Sequence, residues 1–137
     1  MYCTQQLLED ELGGHARLVE ALDDKGSGVF DAALAGRILQ RASDAVDAFL
    51  SGRYVVPLSP VPKLAVEAST IFACEIIYNR RRQATDEKNP YTSRAGGFRE
   101  ELKDIADRKK SLDAQERPAF TPGVVIGRET AVNGSTL

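Results

Sequence analysis

Histidine is almost missing from this 137-residue chain, cysteine is scarce, and no stretch of about 18 apolar residues runs through it. Each shortage removes a class of function. His15 is the only histidine, which disposes of most histidine-based triads and histidine-rich metal sites. It falls at a helix start and reads as a surface residue. Cys3 and Cys74 are the only cysteines. They make no framework of the kind secreted domains use, so a reducing compartment is expected. Cys74 lies in an apolar run and reads as a small buried hydrophobe. With no second histidine-bearing motif nearby, it is no credible nucleophile. The GxGxxG, Walker A, HExxH and CxxC patterns do not occur. Carboxylates are numerous but spread over exposed helix faces. The expectation is a protein that is not an enzyme and holds neither cofactor nor metal. Positive excess is lacking too: 18 Lys+Arg stand against 20 Asp+Glu, a net charge of -2. A dedicated nucleic-acid binder carries more positive charge to meet phosphates, so the surface suits protein partners. Gln5, Glu9, Asp10 and Glu11 interrupt any N-terminal hydrophobic stretch, so no signal peptide is expected. A soluble protein made in a cytoplasm, with no membrane partner, fits best.

The residues that are present read as helices. Hydrophobic residues are 42% and charged residues 28% of the chain, and one domain of this length can bury a core without disulfide or metal staples. Thr4 can cap a helix through Leu12, which Gly13-Gly14 ends. A second short helix follows from about His15 to Leu22. From Asp31 to Arg53 the apolar positions Leu34, Ala35, Ile38, Leu39, Ala42, Ala45, Val46, Phe49 and Leu50 form one wide stripe. Asp31 is the natural N-cap and Gly52 the expected stop. Pro57, Pro60 and Pro62 favour an extended, polyproline-like connection, with Pro62 in the first turn of the next helix. That helix, Lys63 to about Arg82, is apolar on most faces, which makes it central to the fold or shared with a neighbouring subunit. Residues 83–97 are polar and carry Pro90 and Gly96-Gly97, reading as a loop or a poorly formed helix start. Phe98, Leu102, Ile105, Ala106 and Leu112 mark a last amphipathic helix. Its charge pairs Asp104/Arg108 and Lys103/Asp107 stand at i,i+4.

Beyond Asp113 the periodicity stops, and Pro118, Pro122, Gly123, Gly127 and Gly134 punctuate the rest. The fold expected is all-α: a compact bundle of four to five helices over residues 1–112, then an extended or flexible arm over 113–137. Fully extended, that arm reaches roughly 80 Å at about 3.3 Å per residue. The body should have a radius of gyration of only about 13 Å.

Three constellations have both a bland and a functional meaning. The segment Asp23 to Leu34 can be laid on an EF-hand loop, with Ser27, Gly28 and Asp31 in ligand-loop positions. Lys25 then stands where a ligand belongs, and Leu34 replaces the bidentate glutamate, so a helix-capping turn is the better reading. Arg80-Arg81-Arg82 either completes a helix dipole or anchors an acidic partner or phosphate. Val124-Val125-Ile126 is either an idle terminus or a short strand or plug for a neighbour. These six residues are the candidate partner-binding set.

The order of features also has a likeness. The opening Met1-Tyr2 with Thr4 and Leu7-Leu8 is followed by the loop Asp23…Gly28…Asp31. Asp47…Leu50…Arg53-Tyr54 comes next, with Pro57-Leu58 and Val61-Pro62. Ala73-Cys74…Ile76…Tyr78…Arg81 completes the series. Together these resemble the phage Mu-like head–tail adaptor (connector) family of tailed bacteriophages, over about residues 1–112. The resemblance implies a helical subunit whose copies, twelve by analogy with the portal protein, form a ring at the capsid vertex. Such a ring docks on the portal, extends the DNA channel without reading sequence, and offers a platform to a neck or tail-completion protein. It implies a location at the head–tail junction of the virion after assembly in the host cytoplasm, and no catalytic residue. The competing class is a small DNA-associated helical regulatory protein using Arg80 to Arg82. Its two N-terminal helices would mimic a helix-turn-helix, although neither carries a base-reading polar set.

Overall fold

Five helices build the core in the computed structural model, which describes residues 1–85 and 88–118 (of 81–85 the backbone only). They are α1 (Gln5–Leu12), α2 (His15–Leu22), α3 (Ala32–Leu50), α4 (Lys63–Thr85) and α5 (Thr92–Ala106). Among the described residues there is no strand beyond one isolated antiparallel bridge, Tyr54 with Glu116. The all-α expectation holds.

Local chemistry sets most of the boundaries. The Thr4 hydroxyl accepts from the Leu7 N–H at 3.2 Å, capping α1. Gly13, at φ +104, closes it, with the Gly13 and Gly14 N–H groups both donating to the Glu9 carbonyl. Asp31 caps α3 by accepting from the Leu34 N–H at 3.1 Å. The end of α3 differs from expectation. Gly52 does not take a left-handed conformation; the N–H groups of Arg53 and Tyr54 both return to the Leu50 carbonyl, and that tight turn redirects the chain.

α4 is central. Every residue from Ala68 to Glu75 is buried, because α3, α1, α5 and α2 all pack on it. An apolar helix with no polar stripe is therefore satisfied within one subunit.

The segment 83–97, expected as a loop or a poorly formed helix start, is more helical than expected. α4 runs on to Thr85, and α5 begins at Thr92 with Gly96-Gly97 inside it. Tyr91, Ala95, Leu102 and Ile105 are buried, and Phe98 is partly buried beside them. This one continuous stripe outweighs the roughly 1 kcal/mol helix penalty of each glycine. Asn89 organises the entry, donating to the Glu75 carbonyl (2.8 Å) and to Asn79 Oδ1 (2.9 Å) while accepting from the Tyr91 N–H. α5 stops at Ala106, short of Leu112, where Arg108 adopts φ +66. The expected i,i+4 pairs therefore give way to contacts of Asp104 with Lys109 and Glu101 with Lys110.

Candidate functional site

The proline-bearing link between α3 and α4 holds the molecule together at both chain ends. It is a bent segment, with Val56–Pro57 and Ser59–Pro60 in cis, and not an extended polyproline rod. Tyr2 plugs it from the N-terminal side. Its buried N–H donates to Ser43 Oγ at 2.9 Å, its hydroxyl donates to Asp47, and the same hydroxyl accepts from the Leu58 N–H at 2.8 Å. One side chain thus ties the start of the chain to α3 and to the link. Burial disfavours the phenolate and the bond to Asp47 adds to it, so the Tyr2 phenol is pushed from 10.0 to about 12.

Arg53 does the same for the other end. It is 8% exposed, and a buried guanidinium must be surrounded by acceptors to be tolerated. Nη1 donates to the carbonyls of Ile105 (2.7 Å) and Lys110 (2.6 Å). Nη2 donates to Ser111 Oγ (3.1 Å) and Glu116 Oε2 (2.9 Å). These bonds collect the end of α5 and the residues after it. Tyr54 adds a bond from the Leu112 N–H to its hydroxyl at 2.8 Å. Backbone pairing completes the clamp: Val55 N–H to the Gln115 carbonyl, Gln115 N–H to the Ser59 carbonyl, and Arg117 N–H to the Arg53 carbonyl. Residues 115–117 therefore run antiparallel to 53–59, which anchors the chain up to Pro118.

A surface groove of about 380 Å³ lies between α1, α4 and α5. Leu7, Val66, Ile71 and Phe98 give it apolar walls, and Asp10 and Glu67 give it negative charge. Arg94, paired with Glu11 at 3.1 Å, also lines it. Nearby, the buried Glu75 carboxylate pairs with Arg99, which also lies over the Phe72 ring at 5.2 Å, fixing the register of α5 on α4.

The candidate residues named from sequence do not converge on one place. Arg80, at the α4 end, donates to Asp24 at 2.6 Å and so pins the 23–31 loop. Arg81 and Arg82 follow it in α4, but their side chains, like Val124, Val125 and Ile126, lie outside the described residues. The 23–31 loop is an aspartate-capped turn: Asp23 accepts from the N–H groups of Ser27 (2.9 Å) and Gly28 (2.7 Å). Those donors hold its carboxyl below the usual range. His15 is exposed at the start of α2, 3.3 Å from Glu9. Among the described residues no group of three or more His, Cys, Asp or Glu side chains is placed to hold a metal ion. No described helix is long and apolar enough to cross a membrane. Both cysteines are buried and unpaired, and burial pushes the Cys74 thiol up to about 12.

Tyr2 and Arg53 stood out in the sequence only as marks of a family likeness. What betrays Arg53 chemically is a cation directly after an amphipathic helix, between Leu50 and Tyr54 in an otherwise apolar junction. The groove had a fainter signal. Leu7 and Leu8 are adjacent, so one of them must face outward from a short helix; Leu8 is buried and Leu7 is 37% exposed.

Among known families, the model described as Bacteriophage Mu, Gp36 matches residues 2–124. No curated protein matches the chain.

Proposed function

This chain belongs to the bacteriophage Mu Gp36 family, and from that premise we propose that it is a structural head–tail connector subunit. In this reading its copies form a ring of twelve that docks on the portal protein at the capsid vertex. The ring continues the DNA channel and presents a platform to a neck or tail-completion protein. Genomic DNA passes through without sequence-specific contacts, and the chain carries out no catalysis. The observation that carries this reading is the family match over nearly the whole chain. Its physical support is the clamped root of the C-terminal arm. A ring subunit needs two different surfaces that meet head to tail, and Arg53 and Tyr54 give the chain after Pro118 a fixed point of departure.

The test is a cross-linking map of the protein in assembled particles, alongside portal binding by a form truncated after Pro118. Truncation after Leu112 would strip Arg53 of Glu116 and unsettle the body, whereas truncation after Pro118 leaves the clamp whole. Cross-links to portal in particles, and their loss on truncation, are expected. Particles whose necks lack the protein would end the proposal. The regulatory reading relies on Arg80 to Arg82 meeting phosphate, and Arg80 is already engaged by Asp24. Affinity for duplex DNA falling steeply between low and moderate salt would favour it; negligible binding is the expected result.

A further inference from the structure

The groove between α1, α4 and α5 combines apolar and charged side chains at the surface. Its floor and walls are apolar (Leu7, Val66, Ile71, Phe98), and Asp10 and Glu67 make it acidic. The remaining sequence supplies a matching segment. At least 19 residues follow Pro118, and within them Val124-Val125-Ile126 precedes Gly127-Arg128. Three apolar side chains followed by a cation complement apolar walls flanked by carboxylates.

Residues 115–117 run antiparallel to 53–59, from beside Ser59 back toward Arg53. Arg117 therefore lies beside Arg53, just after the C-terminal end of α3. The groove lies along the first half of α4, next to α1, and α1 packs on α2 and α4. The last described residues are thus paired with the proline link and not with the groove's lining. Six residues from Pro118 to Val124 span up to about 20 Å, enough to cross to an adjacent molecule.

We propose that this groove receives residues 124–128 from the arm of a second copy of this chain. Val124 to Ile126 would lie against Leu7, Ile71 and Phe98, with Arg128 meeting Asp10 or Glu67. Every subunit then gives one arm and accepts one, a heterologous contact that propagates from copy to copy. Closure into a ring rests on the connector reading; the contact between arm and groove does not.

The test uses the full-length protein with Leu7→Cys in one preparation and Val125→Cys in another. The native thiols Cys3 and Cys74 are buried and shifted upward, so they do not compete. Mixed and mildly oxidised at high protein concentration, the two preparations are expected to give a covalent heterodimer. The pair of substitutions Asp10→Lys and Glu67→Lys, both on exposed positions, should cut its yield roughly fivefold. Adding Arg128→Glu to the arm partner should restore it. The inference is overturned if no heterodimer forms. It is equally overturned if a chain carrying both cysteines closes only on itself, which would mean the arm folds back on its own subunit. Failure of the connector reading looks different: the heterodimer forms, yet the protein does not engage portal-bearing capsids.

Discussion

Arg53 shows how one buried charge can organise a chain end. Its guanidinium reaches two carbonyls, a hydroxyl and a carboxylate, all C-terminal to it by more than fifty residues. Removing it with Arg53→Ala leaves those acceptors unmet and should cost about 3 kcal/mol, read from urea unfolding. Arg53→Lys should recover little, since a point charge cannot serve four acceptors spread across a planar fork. Tyr2 offers a second test, through pH. Its phenol sits at about 12 in the folded chain against 10.0 as the ordinary value. Folding therefore favours the protonated form, and the associated stability is complete below pH 10 and disappears as pH climbs through 12. Tyr2→Phe should flatten that part of the stability profile. It should also cost about 1–2 kcal/mol at neutral pH, because the Leu58 N–H loses its acceptor.

Among the helices, α1, α2 and α3 follow their own periodicity, α1 and α3 with the caps expected, and the sequence reading places them within about three residues. α5 does not. Gly96-Gly97 looks like punctuation, and only the packing of Tyr91, Ala95 and Leu102 against α4 keeps the helix continuous through it. Neither glycine is needed for its conformation, and a Cβ at Gly97 meets nothing within 4 Å. Gly97→Ala should therefore raise stability by about 0.5–1 kcal/mol in thermal or urea unfolding. Gly13→Ala should do the opposite, by about 1–2 kcal/mol, because φ +104 is strained for any side chain. The contrast separates a glycine that a turn requires from one that a helix merely tolerates.

At the level of the complete subunit, the apolar character of α4 no longer argues for a partner, since its neighbours α1, α2, α3 and α5 bury it. The remaining invitation to assemble lies in the groove and the arm. Light scattering on the purified protein is expected to show mass rising with concentration, and Val125→Asp is expected to hold it at the single-subunit value. A single-subunit mass for the unmodified chain at high concentration would count against self-association. The candidate site was barely legible beforehand for a physical reason. A groove is a relation among three helices, and neither Leu7 nor Phe98 differs in kind from a core residue until those helices are docked.

Composition and periodicity were enough for the all-α class, for three helices and the Thr4 and Asp31 caps of two of them, and for the loss of regular pattern after Asp113. Those properties depend on neighbours within a turn or two of chain, where backbone hydrogen bonding and side-chain spacing act locally. Tertiary contact alone decided that α5 runs through two glycines, that Tyr2 and Arg53 pin distant parts of the chain to the proline link, and where residues 115–117 are anchored. The Tyr2 and Arg53 contacts join residues some forty to sixty positions apart, those that seat α5 on α4 join residues 14 and 24 apart, and such pairings exist only once the chain has folded around α4.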